Sequence, residues 1–492
     1  MRGALACDRS YWLTRFLMLR LLGFVYAFAF LSLALQVLPL VGHAGLLPAD
    51  RFLDLVAESL GSRGAGFLAL PSLFWLGISD PALAALAWLG LALSLCVLAG
   101  FANSILLAAL WAIYLSFVHV GQEWYGFGWE IQLLETGFLA IFLCPLLDAR
   151  PFPRRPPPGA VVWLYRWLIF RIMLGAGLIK LRGDPCWREL SCLDFHFETQ
   201  PIPNPLSRAF HFLPAWAHRG GGLLNHAAEL VAPWLAFAPG WLCRGAGIVM
   251  LAFQAMLLLS GNLSFLNWLT IVPILACFDD ALLRRVLPRR LVARAERAAA
   301  EATPSRGQEI ATLALAGVVA LLSVAPVANL LSPHQRMNSS FDPLALVNSY
   351  GAFGSVGRER HEIVLEGTDA SEIGPGTRWL EYELPCKPGD PRRRPCVVSP
   401  YQPRLDWQIW FAAMATPSEH PWMLRLVSQL LRGDPGVKTL LAHDPFPEQP
   451  PRWIRARLYR YRFAPPGGPA WWERTLEGEW LPPLSADDPR LG

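Results

Sequence analysis

Charge is what this sequence has least of. Of its 492 residues only 16% are Asp, Glu, Lys or Arg, while 53% are apolar, whereas an ordinary soluble protein is about a quarter charged. That scarcity excludes a typical soluble enzyme and points to a membrane protein. The short signatures of common enzyme chemistry are missing too: there is no Walker loop, no Rossmann glycine fingerprint and no GxSxG elbow. Histidine and cysteine spacings match neither HExxH nor CxxC…CxxC, so no metal and no cofactor is expected. No aromatic-basic pattern for single strands appears, which removes nucleic acid as a partner. The net charge of +5 comes largely from arginines clustered in a few loops, a signal of membrane orientation.

What the chain has in abundance is long apolar runs. The first, Phe16 to Leu40, follows Arg9, Arg15 and Arg20. It is too long for a signal h-region of about 7–15 residues, so a retained transmembrane helix ended by Pro39 and Gly42 is expected. A polar excursion from His43 to Arg63 and a short interfacial piece, GFLALPSLFWLGIS, come next. Runs at Pro81 to Ala99 and Phe101 to Val120 are separated by Gly100, the pattern of a tight helical hairpin. Ile131 to Leu147 contains Glu135, and Val161 to Leu181 ends in a polar stretch. Further runs at His226 to Pro239, Gly245 to Ser260, Leu263 to Phe278 and Ile310 to Leu331 bring the expected count to about eight or nine spans.

Lysine and arginine in short loops mark the cytoplasmic side. With the N-terminus inside, nine crossings place ARPFPRRPPP, LCRG and RRVLPRRLVARAERAAAEATPSR, the densest arginines, in the cytoplasm. The loop His119 to Glu130, an outer loop at 181–225 and everything after Leu331 then lie outside. Cys186, Cys192, Cys386 and Cys396 fall on that oxidising side in two close pairs, which suggests two disulfides, with four free thiols as the alternative. Cys7 is inside, and Cys96, Cys144, Cys243 and Cys277 lie in or near helices.

The expected division is therefore a transmembrane helical domain at 1–331 and an outer α+β domain at 332–492. In the second part, HEIVLEG, TRWLEYELP, RARLYRYRF and WWERTLEGEWLPPL alternate as strands do, while QIWFAAMA and PWMLRLVSQLLRG look helical. The fold class is a mainly α multi-pass membrane bundle carrying a soluble domain with an antiparallel sheet.

Candidate chemistry concentrates in GAGLIKLRGDPCWRELSCLDFHFETQPIPN, residues 175–204. Lys180 shares a helical face with Arg166, and Glu135 is a candidate partner for these cations inside the bundle. Either the group ties helices together or a buried lysine of lowered pKa acts as a base, with Glu135 and His196 beside it. In NHAAELVAP, Asn225 and Glu229 share a face and His226 lies beside Glu229, forming a polar cluster at a helix mouth. In PYQPRLDWQIWFAA, Asp406 is placed to cap a helix, with Arg404 pairing to it or to a neighbouring acid, which is a scaffold role. Trp187, Arg404, Asp406 and Trp407 together offer the residue types of an interaction surface.

Those motifs carry a resemblance. GLIKLRGDPCWRELSCLDFHFETQPIPNPLS, NHAAELVAPWL, FGSVGRERHEIVLEG, YELPCKPGDPRRRP and YQPRLDWQIWFAA resemble, in order and over most of the chain, the lipase maturation factor family. The resemblance implies a multi-pass membrane protein that helps secreted lipases fold and assemble. In animals it implies the endoplasmic reticulum membrane, with the conserved domain in the lumen. An Ala-, Arg- and Pro-rich composition suggests a bacterial inner membrane instead, with the C-terminal domain periplasmic, membrane lipids around it and a secreted client such as a lipase. Ala176, Gly177, Lys180, Leu181 and Trp187 are also similar to a pattern in the transmembrane domain of vitamin K-dependent carboxylase-like proteins. There the lysine acts as a base, which implies an alternative: an enzyme acting on a lipid, quinone or peptide near Lys180, Glu135 and His196.

Overall fold

The computed structural model describes residues 10–491, so Cys7 and Arg9 lie outside the described residues. Among the described residues five helices are long and apolar enough to cross a membrane: Trp12–Val41, Asp80–Ala99, Gly159–Arg182, Trp241–Ser260 and the 26-residue stretch Arg306–Leu331. Ser104–Val120 and Leu266–Cys277 are shorter apolar helices. The expected run at Ile131 to Leu147 forms the 16-residue helix Gly128–Leu143, cut off before Pro145. The run at Leu263 to Phe278 carries Pro273 and tightens into a 3₁₀ turn at Leu275–Cys277.

Local chemistry sets the helix ends. The carboxylate of Asp280 accepts the backbone N–H groups of Trp12 and Leu13 at 2.9 and 2.8 Å, so the first helix is capped from a distant part of the chain. Ser79 accepts from Ala82 N–H, Gly100 at φ 127° stops the Asp80–Ala99 helix, and Asn103 caps Ser104–Val120. The expected hairpin follows from these residues. Close approach makes two glycines necessary: a Cβ on Gly23 would strike the Leu98 backbone, and one on Gly90 would strike the Phe30 ring. The Trp12–Val41 and Asp80–Ala99 helices can pack closely only because neither position has a side chain.

The expected run at His226 to Pro239 belongs to a longer helical rod. Ala215–His226 is α-helical, Ala227–Val231 is a turn of π-helix and Ala232–Leu235 is α-helical again. Such π turns concentrate at functional sites, and this one carries Glu229.

The C-terminal part contains an antiparallel sheet. Strands β1 (Ser339–Ser340) and β2 (Asn348–Ser349) pair with each other. Strands β3 (Arg360–Thr368), β4 (Leu380–Glu381), β5 (Trp453–Phe463) and β6 (Trp472–Leu484) form one sheet in the order β4-β3-β5-β6. Along β5 the buried positions are Ile454 and Ala456, then Tyr459, Tyr461 and Phe463. The switch from even to odd coincides with register shifts around Arg457 and Leu458, because a bulge inserts a residue and flips the pleat. The piece TRWLEYELP contributes only the two residues of β4. Arg404–Ala412 and Pro421–Leu431 are helices.

Buried charge joins this part to the helices. Arg404 pairs with Glu130 at 2.9 Å, both side chains fully buried, and its guanidinium lies 3.5 Å over the Tyr125 ring. Tyr114 donates to the same carboxylate. One turn further along the Gly128–Leu143 helix, Glu135 pairs with Arg171 and accepts from Asn348 N–H at 3.0 Å and Tyr350 O–H at 2.7 Å. Arg360 pairs with Glu362 and donates to the carbonyls of Glu198 and Pro201, each at 2.9 Å. Lys387 completes that group, 2.6 Å from Glu362. Each cation has an anion and extra hydrogen bonds, the condition under which burial of a charge pair is tolerated.

Candidate functional site

The helix Gly159–Arg182 carries Lys180 in its last turn and stops at Gly183. A Cβ there would strike the carbonyl of Gly354, and Asp184 N–H donates to that same carbonyl at 2.9 Å. Asp184 then caps the short helix Pro185–Glu189 by accepting from Cys186 N–H at 3.0 Å. Its carboxylate also takes the Arg358 guanidinium at 3.1 Å. The segment 351–358 therefore closes over the end of the lysine's helix.

Lys180 is buried. Its Nζ donates to Glu229 Oε1 at 2.5 Å and to Asn225 Oδ1 at 3.0 Å, and Asn225 Nδ2 donates to Glu229 Oε2 at 3.1 Å. The Trp187 ring lies 4.9 Å from the ammonium. His226 Nε2 meets the Trp187 carbonyl at 2.9 Å, and the Trp187 indole donates to the Phe353 carbonyl at 2.8 Å. Cys186 and Cys192 are joined in the structure with Cα atoms 4.8 Å apart, and they pack with Trp187 and Val356 in a small apolar cluster. His196 stands edge-on to Phe353, ring centres 4.8 Å apart. Burial first, and the nearby Lys180 ammonium second, push this imidazole down to about 4. The cluster thus holds one satisfied ion pair beside a neutral histidine, which is an arrangement for fixing helices in place.

Glu135 does not belong to this group. It pairs with Arg171, and nine residues, two and a half turns, separate Arg171 from Lys180 and put them on opposite sides of the helix. Arg166 is also elsewhere, donating to the Ala276 carbonyl at 3.0 Å and the Tyr11 hydroxyl at 3.1 Å. Sequence spacing showed that Asn225 and Glu229 share a face but not that Lys180 faces them. A helix pattern reveals which way its own residues point and says nothing about the neighbour.

Trp187, Arg404, Asp406 and Trp407 are buried, which corrects the expectation that they form an exposed interaction surface. An arginine- and tryptophan-rich helix face reads alike whether it meets solvent or a membrane bundle. Trp407 packs edge-on against Phe127 and Trp129 at 5.7 and 5.0 Å. Asp406 does not cap its own helix, whose N-cap is Pro403. Its carboxylate accepts Cys386 and Lys387 N–H at 2.6 and 2.7 Å, holding the loop in which Cys386 and Cys396 are joined, Cα atoms 5.4 Å apart. Burial pushes Asp406 up to about 6 against the pull of those two donors.

Comparison with known proteins bears on the whole chain. The lipase maturation factor transmembrane domain matches residues 13–285, and the lipase maturation factor C-terminal domain matches residues 346–482. Lipase maturation factor 1 of Bos taurus is 50% identical over 507 residues, covering 98% of this chain and 90% of that protein. Lipase maturation factor 1 of Homo sapiens is 47% identical, covering 98% and 89%. Lipase maturation factor 2 of Rattus norvegicus is 32% identical, covering 95% and 82%. No solved structure matches.

Two outcomes follow from the geometry. Lys180→Met leaves Glu229 buried without its cation and is expected to cost about 3–5 kcal/mol, seen as a lowered thermal midpoint in detergent. Lys180→Met with Glu229→Leu removes both charges and should recover most of the loss. An equally destabilised double variant would show that the pair is not what matters. For His196, the unfolded chain takes up a proton near the ordinary 6.5, whereas the folded protein resists until about 4. Its contribution is complete above the unfolded value and is lost as pH falls towards 4, by on the order of 3 kcal/mol. Asp406 works with the opposite sign, since a raised carboxyl favours the fold at low pH. The comparison is therefore between wild type and His196→Phe at each pH: the variant should lose less stability on acidification from 6.5 to 4, and parallel curves would remove His196 from the account of acid sensitivity.

Proposed function

The chain belongs to the lipase maturation factor family, and from that premise we propose that it is a membrane-embedded assembly factor. It assists folding and assembly of secreted lipases, or of other exported clients, on the outer side of the membrane. The observation that carries this reading is the 50% identity to lipase maturation factor 1 of Bos taurus over nearly the full length of both chains. Likeness of that extent covers both the apolar helices and the C-terminal sheet, so the same two-part machine is implied.

In the proposed arrangement eight or nine spans anchor the protein, residues 1–331 form the membrane domain and 332–492 the outer domain. The arginine-rich loops support the orientation: Thr303 N–H donates to the Arg154 carbonyl at 2.9 Å, and Arg155 donates to the carbonyls of Thr303 and Pro304. Two of the three basic loops therefore meet at one end of the molecule, as a cytoplasmic face would require. The joined cysteine pairs suit an oxidising outer compartment, whether periplasm in a bacterium or lumen in the endoplasmic reticulum. Partly folded clients expose apolar surface and unpaired strand edges, and a rigid outer platform at the membrane would keep them from aggregating until they assemble. The pairing of Lys180 with Glu229 and Asn225 supports a scaffold role for that lysine over proton abstraction.

Expression of this chain in human cells lacking lipase maturation factor 1 tests the reading. Secreted lipase activity per mass of lipase is expected to rise above that of cells carrying empty vector, with the Bos taurus relative as the positive control. No rise, with the protein accumulating normally in membranes, would count against it.

A further inference from the structure

The helical rod at 215–235 exposes one face along its whole length. Trp216, Leu223, Ala227, Val231 and Trp234 are all exposed, and their spacing of seven, four, four and three residues, with the π turn absorbing the drift, keeps them in line. Arg219 is the only charge exposed on that face, close to its outer end. The opposite face is buried and polar: His218 meets Asp194 at 2.6 Å, and Asn225 and Glu229 hold Lys180. A soluble surface helix has the reverse pattern, with its apolar stripe inward and its polar face in water.

We propose that this rod is embedded in the membrane from Ala215 to Leu235, with its exposed stripe in contact with phospholipid acyl chains. The sixth span then begins eleven residues before His226, and the outer loop ends before Ala215. The inference rests on the multi-pass reading given above and goes beyond it in assigning this surface.

Three observations argue for lipid as the occupant. The first is length: eighteen residues separate Trp216 from Trp234, about 27 Å of helix, close to the hydrocarbon thickness of about 30 Å. The second is the pair of tryptophans at the two ends of the stripe, the residues that mark membrane interfaces; Arg219, near the outer one, can extend its guanidinium to the headgroups. The third is continuity. The turns at 227–235 pack on both Gly159–Arg182 and Trp241–Ser260, two helices with the length and composition of membrane spans. Trp234 stands edge-on to Phe170 of the first at 4.8 Å. A short turn then leads into the second, whose own Trp241 and Ile248 are exposed. The stripe thus extends a surface that already faces lipid. Its burial at that depth also accounts for the inward pairing of Lys180, since an ionisable group within a bilayer pairs inside the bundle.

Single cysteines at 216, 223, 227, 231 and 234, in a full-length background carrying Cys7→Ser and Cys96→Ser, can be spin-labelled in phosphatidylcholine nanodiscs. Collision with oxygen, which partitions into lipid, is then compared with collision with a water-soluble nickel chelate. Ile248→Cys serves as the lipid reference and Leu476→Cys, on β6, as the water reference. The oxygen-to-nickel ratio at 223, 227 and 231 is expected to match Ile248 and exceed Leu476 several-fold, with lower ratios at 216 and 234. A lipid-like Ile248 together with water-like values at 223 and 227 would overturn the proposal and leave the multi-pass reading intact. Protection from both reagents at those positions, as a bound protein client would give, would also overturn it. A water-like Ile248 would reject the multi-pass reading itself. The positions are exposed and remove little packing; if Trp216→Cys fails to accumulate, 223 and 227 decide the outcome.

Discussion

Glu130 and Glu135 sit five residues apart on the Gly128–Leu143 helix, and each is buried against an arginine in a network that includes the C-terminal half of the chain. Glu130 receives Arg404, whose own helix begins at that residue. Glu135 receives Arg171 and, in addition, the backbone and side chain of Asn348 and the hydroxyl of Tyr350. An uncompensated charge at either place would cost about 3–5 kcal/mol, a large part of the 5–15 kcal/mol that holds a typical protein folded. Neither half of the chain can therefore satisfy its own buried groups alone. Asn262 repeats the logic between the Trp241–Ser260 and Leu266–Ile274 helices, where its side-chain oxygen accepts Val398 and Ser399 N–H at 3.0 and 3.1 Å.

Seen this way the Lys180 cluster is one more fastening of the same kind. It ties the end of the Gly159–Arg182 helix to the π turn of the neighbouring rod. The segment 351–358, which leads directly into β3, covers it. Such rigidity favours binding, because a platform that moved with each encounter would forfeit binding free energy in ordering itself. The membrane helices then set the position of the sheet as well as anchoring it. The short cysteine loops serve the same end: the one at 386–396 is held to the Arg404 helix by Asp406, and the one at 186–192 packs under Val356.

Much of this was legible in the sequence. Apolar run lengths gave the principal helices, Gly100 gave the hairpin, and the alternation in RARLYRYRF and HEIVLEG gave the two central strands. The long ungapped motifs identified the family. What could not be read were the partners. A helical wheel puts Lys180 and Arg166 on one face and Arg171 on the opposite one, yet it names no partner for any of them: they meet Glu229, the Ala276 carbonyl and Glu135. Arg404 and Trp407 looked like surface because their helix is amphipathic, and only the packed bundle reveals that the covered side is the one they occupy. The rod at 215–235 escaped because His218, Arg219 and the three glycines that follow give its outer half the composition of a loop, while the exposed stripe becomes visible only once the polar side chains are seen to point inward.

The union of the two halves can be measured by the distance between spin labels at Leu60→Cys, beside the membrane helices, and Leu476→Cys on β6, in full-length protein lacking Cys7 and Cys96 and held in nanodiscs. Clamping by buried ion pairs requires a single narrow distance distribution. A broad or multi-peaked distribution in the wild-type background would mean that the C-terminal part is tethered and free to swing, and would contradict a rigid platform fixed to the membrane helices.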